Sequence, residues 1–265
     1  MSILPHPQLI SKVIGIGCDK TAIPFIRLAV LSVMAGAFIA LGGILSVTAG
    51  FGIPGIASVN PGLQKLLSGL MFPVGLFLIV LFGGELFTGN NAVLIPGCAG
   101  RHFTPLSVAR HWITVWGFNF VGALAFTYLF VYVSGLTAAE PYHTAIINIA
   151  QSKAALPAST AFIKGIAANW CVCLAVWLCL MVDTLPAKFL ACWIPVGAFV
   201  VLGYEHSIAN MFFIPAGMLE GADVDMAALF HNLLPVTAGN IVGGALLVGM
   251  LFNRLHNPNR DIDKP

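Results

Sequence analysis

Two short polar stretches interrupt an otherwise strongly apolar chain, and they share one pattern. Residues 83–90 read GGELFTGN and residues 203–210 read GYEHSIAN, so both follow G-x-E-x-x-x-x-N. The glutamates Glu85 and Glu205 are 120 positions apart, and so are Asn90 and Asn210. Ionisable groups inside an apolar run are expensive to bury, so such a stretch marks a functional site by default.

The composition places the chain in a membrane. Hydrophobic residues make up 58% of the sequence and charged residues 8%, whereas a soluble domain carries about 25% charge. The apolar runs are long enough for membrane-spanning helices, and they lack the alternation of a membrane barrel. We therefore predict an all-α membrane protein that crosses the bilayer several times.

The apolar runs predict six transmembrane helices, of which the second and fifth are broken by the polar stretches. The predicted spans are residues 24–48, 66–95, 112–134, 161–182, 189–214 and 233–252. We expect residues 1–23 to form a cytoplasmic segment with an amphipathic helix on the membrane surface, and residues 135–156 to form a polar loop. A cytoplasmic tail is expected at 257–265. The predicted topology follows the excess of Lys and Arg on one side and places both termini in the cytoplasm.

The two halves of the chain repeat each other beyond the polar stretches. PVG at 73–75 recurs at 195–197, IP at 95–96 recurs at 214–215, and Asn119 and Gly122 recur as Asn240 and Gly243. These matches lie at offsets of 119 to 122 positions. The predicted repeats are residues 24–136 and 157–256, and an odd number of spans in each inverts the second copy. Inverted repeats with matched broken helices place a substrate site near the midplane, between the two breaks.

Four segments in and around the breaks together form a recognisable pattern. They are LFTGN at 86–90, KG at 164–165 followed by Asn169, CLAVW at 173–177 and YEHSIANM at 204–211. With these segments the chain resembles the formate/nitrite transporter family. The resemblance covers nearly the whole chain. It implies an aquaporin-like protomer with its own pore, assembled as a homopentamer in the inner (cytoplasmic) membrane. It also implies transport of a small monovalent anion, with formate favoured over nitrite or hydrosulfide, and with or without a coupled proton.

The resemblance also implies positions for the pathway. Thr88 in the first break would face His206 in the second, between two narrow apolar slits. The candidate constriction residues are Phe72, Leu76, Leu86, Phe87, Val172 and Phe199. The candidate pathway residues are His206, Thr88, Lys164, Asn169, Glu205, Asn90 and Asn210.

The central residues have chemical uses that the sequence leaves open. An anion crossing an apolar slit loses its hydration at a large cost. His206 could offset this cost as a counter-charge, as an N–H donor or by handing over a proton, or it could only brace the broken helix. Thr88 could bind the anion and His206, or could satisfy free backbone groups in the break.

The remaining polar candidates also have two interpretations each. Lys164 could attract anions or extend toward the interface. Asn169 could line the pore or tie helices together. We expect Glu85 and Glu205 to mirror each other and to accept hydrogen bonds from the backbone N–H groups that the breaks leave free.

Other functional classes fit the sequence less well. A pore for a neutral solute such as water or glycerol would use paired Asn-Pro-Ala turns, which the sequence lacks. A membrane enzyme would need a nucleophile, a metal cluster or a cofactor motif beside Glu205 and His206. We therefore expect no enzymatic activity, no cofactor, no bound metal and no nucleic-acid partner; the expected partners are the anion, protons and membrane lipid.

Overall fold

The computed structural model describes residues 3–257, and its first half is a series of helices. They are α1 His6–Thr21, α2 Phe25–Phe51, the short α3 Ile56–Val59, α4 Pro61–Met71, α5 Val74–Phe82, α6 Phe87–Ala99 and α7 Pro105–Phe126, which a wider π-type turn extends to Tyr132. The predicted first and third spans are thus single helices. The predicted second span is divided at the polar stretch between α5 and α6.

The second half repeats this arrangement. Its helices are α8 Tyr142–Ala154, α9 Ala158–Met181, α10 Leu185–Val201, α11 Ser207–Leu219 and α12 Met226–Ile241, followed by the π-type segment Val242–Met250 and α13 Leu251–His256. The second polar stretch separates α10 from α11. Except for Asn257, the predicted tail 257–265 lies outside the described residues. The protein is an all-α membrane protein of six spans in two inverted repeats.

The third and sixth spans begin seven residues earlier than predicted. Each begins after a residue whose side chain caps the helix: Thr104 accepts from the Ser107 N–H, and Asp225 accepts from the Ala228 N–H. Such caps satisfy one of the backbone donors that the first helical turn leaves free. The capped turns are more polar than the spans that they begin, so hydropathy alone places the boundary too late.

The predicted loop at 135–156 was wrong, because it contains α8. This helix buries Ala145, Ile146 and Ala150 and packs mainly on α11. Likewise, α1 does more than lie on a membrane surface, since it buries Leu9 and Val13 and packs mainly on α6. An amphipathic helix therefore precedes each repeat and supports the second half of its broken span.

The repeat has two sequence offsets rather than one. In α2 and α9, equivalent positions are 133 residues apart, as with Val33 and Ile166. In the third and sixth spans they are 121 apart, as with Gly122 of α7 and Gly243 of the π-type segment after α12. A Cβ at Gly122 would overlap the Val33 carbonyl, and one at Gly243 would overlap the Ile166 carbonyl. Small residues at these crossings let the helix backbones approach closely, which drives helix association in a membrane.

The broken spans cross in the centre of the protein. The first halves pack on each other, α4 against α10, and the second halves, α6 and α11, meet at their N-termini. Each N-terminus carries a partial positive charge from its free N–H groups. The two breaks are therefore held face to face, as the repeat predicted.

Candidate functional site

A glycine ends the first half of each broken span. Gly83 and Gly203 have positive φ angles of 68° and 69°. The residue after each glycine donates its N–H back to a helix carbonyl: Gly84 to Ile79 at 2.9 Å, and Tyr204 to Phe199 at 3.1 Å. This is a common helix-ending arrangement that glycine adopts without steric cost. Three non-helical residues then lead to the next helix, and the last of them, Leu86 or His206, is extended.

One asparagine on α7 fastens the first break. The Oδ1 atom of Asn119 accepts from the Phe87 N–H at 2.9 Å, and its Nδ2 donates to the carbonyls of Ser32 and Glu85 at 2.8 and 2.9 Å. The Glu85 N–H donates to the Leu31 carbonyl at 3.2 Å. The Phe87 N–H and both backbone groups of Glu85 thus have partners inside the protein, as membrane depth requires.

Asn240 on α12 does the same for the second break. Its Oδ1 accepts from the Ser207 N–H at 2.9 Å, and its Nδ2 donates to the carbonyls of Gly165 and Glu205 at 2.8 and 3.1 Å. The Glu205 N–H donates to the Lys164 carbonyl at 3.3 Å. The two breaks therefore have the same backbone connections, and each is fixed to the first and third spans of its own repeat.

The buried carboxylate in the first break binds side chains. Glu85 accepts from Lys20 of α1 at 2.7 Å through Oε1 and from Asn90 at 2.7 Å through Oε2. The Asn90 amide also contacts His111 Nε2 at 3.0 Å. The carboxylate, Asn90 and His111 are each less than 5% exposed.

The second carboxylate is held in the same way. Glu205 accepts from Lys153 of α8 at 2.9 and 3.1 Å and from Asn210 at 2.6 Å. Asn210 also donates to the Asn232 Oδ1 at 2.7 Å. The two glutamates mirror each other as expected. The expectation that they accept from free backbone N–H groups was wrong, because Asn119 and Asn240 take that role and leave the carboxylates to neutralise the lysines.

Thr88 and His206 meet in the centre. Thr88 Oγ1 lies 2.9 Å from His206 Nε2, and both residues are buried. His206 caps α11, and its Nδ1 accepts from the Ala209 N–H at 3.1 Å. A backbone N–H only donates, so Nδ1 carries no proton in this arrangement. The imidazole is therefore neutral with its proton on Nε2, where it is donated to the Thr88 hydroxyl.

Two phenyl rings cover one side of this pair. Phe199 stacks on the His206 ring with centroids 5.8 Å apart, and Phe72 meets Phe199 edge to face at 5.6 Å. Both rings and His206 line a cavity of about 560 Å³, here called the α8 cavity. Its charged and histidine lining consists of Lys65, Lys153, Lys164, Glu205 and His206.

A second cavity, here called the α1 cavity, has a volume of about 420 Å³. The predicted constriction residues Leu76 and Leu86 line it, together with Asn90. Its charged lining consists of Asp19, Lys20, Arg27 and Glu85. The α1 cavity therefore has balanced charge, whereas the lysines outnumber the carboxylate in the α8 cavity.

The structure distributes the other predicted residues unevenly. Asn169 lines neither cavity; its Nδ2 lies 2.6 Å from the Asn240 carbonyl and 3.2 Å from the Thr88 carbonyl, so it ties α9 to α12 and α6. Phe87 packs edge to face on Trp112 at 6.3 Å, and Val172 is 2% exposed in the core. These two also line neither cavity.

The sequence analysis missed the residues that hold the carboxylates. Lys20 and Lys153 belong to α1 and α8, and they are 133 positions apart, the offset that also relates α2 to α9. A search for a second offset in the repeat would have paired them. His111 and Asn232, which are 121 positions apart, would have been found by aligning α7 with α12.

The chain is similar to known transporters along nearly its whole length. The family model described as formate/nitrite transporter matches residues 7–253. A probable formate transporter of Methanothermobacter thermautotrophicus is 39% identical over 249 residues, which cover 88% of this chain and 90% of that protein.

Solved structures agree with the sequence match. An FNT family ion channel superposes with a TM-score of 0.85 at 32% identity, covering 92% of this chain and 97% of that one. A pentameric formate channel with formate bound superposes with a TM-score of 0.75 at 30% identity, covering 86% and 96%. With the match of the family model, these likenesses identify the protein: the chain belongs to the formate/nitrite transporter family of membrane transporters.

Proposed function

We propose that the protein is a channel that passes formate across the membrane, past the Thr88–His206 contact. The observation that carries this proposal is the position of that buried donor pair between two cavities, each lined by residues of a different break. The family membership supports a small monovalent anion. The relatives support formate, because one is named a probable formate transporter and a solved neighbour has formate bound.

Entry from the α8 cavity is favoured by its charge. In the described part of the chain, Lys65, Lys153 and Lys164 line this cavity together with a single carboxylate, Glu205. A cavity lined by an excess of one charge raises the local concentration of the opposite ion. Because Lys153 is already paired with Glu205, we assign the attraction mainly to Lys65 and Lys164, which have no carboxylate partner among residues 3–257.

Passage between the phenyl rings removes water from the anion. Phe72 and Phe199 line the α8 cavity beside His206, and a bare carboxylate between these apolar rings would face a large desolvation cost. Two donors beside the rings offset this cost. When Thr88 accepts from His206 Nε2, its own hydroxyl proton is free to be donated to the anion, and the Nε2–H can turn from Thr88 to the same anion. Hydrogen bonds to an ionised acceptor are about twice as strong as neutral ones.

A neutral His206 limits the proton chemistry. While Nδ1 accepts from the Ala209 N–H, the neutral ring does not protonate formate, because losing the Nε2 proton would leave an anionic imidazolate. A proton that travels with formate therefore comes from water or from a His206 that has left Ala209. Coupled and uncoupled transport are distinguished by whether a pH gradient drives accumulation. Exit leads past Leu86 and Leu76 into the α1 cavity.

The assembly and topology belong to the same proposal. We propose a homopentamer in the inner membrane with both termini in the cytoplasm, and repeats of 24–136 and 157–256 flanked by segments 1–23 and 257–265. The pentameric neighbour supports the assembly. The α1 cavity would then face the cytoplasm. We propose Asn90, Asn210, Glu205 and Asn169 as residues that shape the pathway and Phe87 and Val172 as supports of the constriction.

The test is flux into liposomes that contain the purified protein. Labelled formate, nitrite, hydrosulfide and lactate are offered separately at two pH values, beside protein-free liposomes and a His206→Ala variant. We expect formate to enter fastest and the variant to lose most of this flux. Faster nitrite or hydrosulfide would refute formate as the substrate, and passage of water or glycerol without any anion flux would refute the anion channel.

A further inference from the structure

The two carboxylate networks differ at one titratable position. Asn90 bridges Glu85 Oε2 and His111 Nε2 at 2.7 and 3.0 Å. Its equivalent Asn210 bridges Glu205 Oε2 to the amide oxygen of Asn232 at 2.6 and 2.7 Å. The first repeat thus has an imidazole where the second has an amide that does not titrate.

The hydrogen bonds fix the state of His111. An ionised carboxylate only accepts, so the Asn90 amide must turn its nitrogen toward Glu85. The same nitrogen, Nδ2, lies 3.0 Å from His111 Nε2 and has a second N–H to donate to it. Nε2 must therefore be an acceptor, and His111 is neutral in this arrangement. Protonation of His111 Nε2 would place its N–H against the N–H of Asn90 and break this contact.

The protonated ring has another partner within reach. His111 Nε2 lies 3.5 Å from Glu85 Oε2, the oxygen that Asn90 now occupies. Lys20 binds the other oxygen, Oε1, at 2.7 Å and so leaves Oε2 free for an exchange. The other charges in the surrounding α1 cavity are Asp19 of α1 and Arg27 of α2. The packed helices α6 and α11 contain no charged residue and no histidine.

Asn90 connects this exchange to the centre of the protein. It lies in the first turns of α6, two residues after Thr88, and its carbonyl accepts from Trp112 Nε1 at 3.2 Å. His111 and Trp112 therefore bind α7 to α6 directly beside the first break. Losing the His111–Asn90 contact removes one of these two links, whereas the second break keeps the equivalent link at any pH.

We propose that His111 is a positioning residue whose protonation transfers Glu85 Oε2 from Asn90 to the imidazolium, so that acid loosens the first break and leaves the second unchanged. The structural response stands on its own. Its effect on transport rests on the proposed function, since it requires a flux to regulate.

Reciprocal variants test the structural response. His111→Asn gives the first repeat the side chain of the second at this position, and Asn232→His gives the second repeat the side chain of the first. The apparent Tm of the full-length protein in one detergent is measured from about pH 8 to about pH 5. We expect the Tm difference between wild type and His111→Asn to change by about 2–4 °C over this range, the effect of an about fivefold change in the folding equilibrium on a chain of this size. The Tm difference between wild type and Asn232→His should depend on pH to a comparable extent.

The outcomes separate the two claims. Tm differences from wild type that stay constant with pH in both variants would overturn the proposal. If His111→Asn folds poorly, the pH dependence of Asn232→His decides whether the proposal holds. In liposomes, the ratio of wild-type to His111→Asn formate flux should change at least about twofold between pH 7.5 and pH 5.5. An unchanged ratio would overturn the link to the break. A Tm response without formate flux in any variant would support the response of His111 and count against the proposed function instead.

Discussion

Replacing Asn119 by leucine should unfasten the first break without changing its charge. The variant loses the bond to the Phe87 N–H and the two bonds to the Ser32 and Glu85 carbonyls. A buried N–H without a partner costs about 1–3 kcal/mol, and each of the two other bonds contributes about 1 kcal/mol. The expected loss is therefore about 3–5 kcal/mol, since Asn119 is fully buried and water cannot replace it.

The assay is thermal unfolding of the purified protein, followed by loss of helical signal. At about 2–4 °C per kcal/mol for a chain of this size, the apparent Tm should fall by roughly 10 °C. Asn240→Leu should cause a loss of similar size, because Asn240 makes the same three bonds in the second break. Asn148→Leu, at an exposed position of α8, is the matched control and should change the Tm little.

Two outcomes would refute this reasoning. One is an Asn119→Leu variant as stable as the Asn148→Leu control, which would mean that the break does not depend on the bonds from α7. The other is a large loss for only one of Asn119→Leu and Asn240→Leu, which would mean that the two breaks are not supported equivalently.

Two further predictions use matched substitutions. Lys20→Met leaves Glu85 charged and buried with no cation on Oε1, and should lower the stability by about 3 kcal/mol. Adding Glu85→Gln should restore most of the lost stability. A double variant as unstable as Lys20→Met in thermal unfolding would contradict a stabilising role of the ion pair. Gly203→Ala should cost about 1–2 kcal/mol because its φ is 69° while nothing crowds a Cβ there. Gly117→Ala, in open space within α7, should stabilise the protein by about 0.5–1 kcal/mol. If both variants shift the stability in the same direction in denaturant unfolding, the explanation from backbone conformation is wrong.

Much of the architecture was predictable because the repeated residues strongly influence the local backbone. Gly83 and Gly203 end helices, and the polar residues behind them do not continue an apolar span. The pairing of Thr88 with His206 followed from the family resemblance, and the structure brings these two side chains to 2.9 Å. Their role in transport remains a prediction.

The supports of the site were harder to predict. Lys20 and Lys153 reach the glutamates from helices that precede the first span of each repeat, at an offset of 133 rather than 120. A connection of different length, 52–60 in one repeat and 182–184 in the other, contributes to this change of register. The helix α8 was missed because it is short and half polar, so neither its length nor its hydropathy separates it from a loop.

The asparagines show a second limit. Asn119 and Asn240 were visible as a repeated pair, yet each binds carbonyls on two other segments and a backbone N–H in the break. Bonds among three segments depend on tertiary placement, which a single sequence does not give. Asn169 is a similar case, since its three contacts come from α6 and α12 and explain why it lines neither cavity.

The most direct test of the central claim compares two substitutions of Thr88 in the labelled-formate flux assay. Thr88→Ser keeps the hydroxyl that contacts His206, and Thr88→Val keeps the shape but removes it. Formate passage that depends on this donor pair predicts flux near the wild-type value for serine and a loss of about tenfold or more for valine, equivalent to at least ~1.4 kcal/mol in the barrier. Equal formate flux through the valine variant and the wild type would contradict the claim.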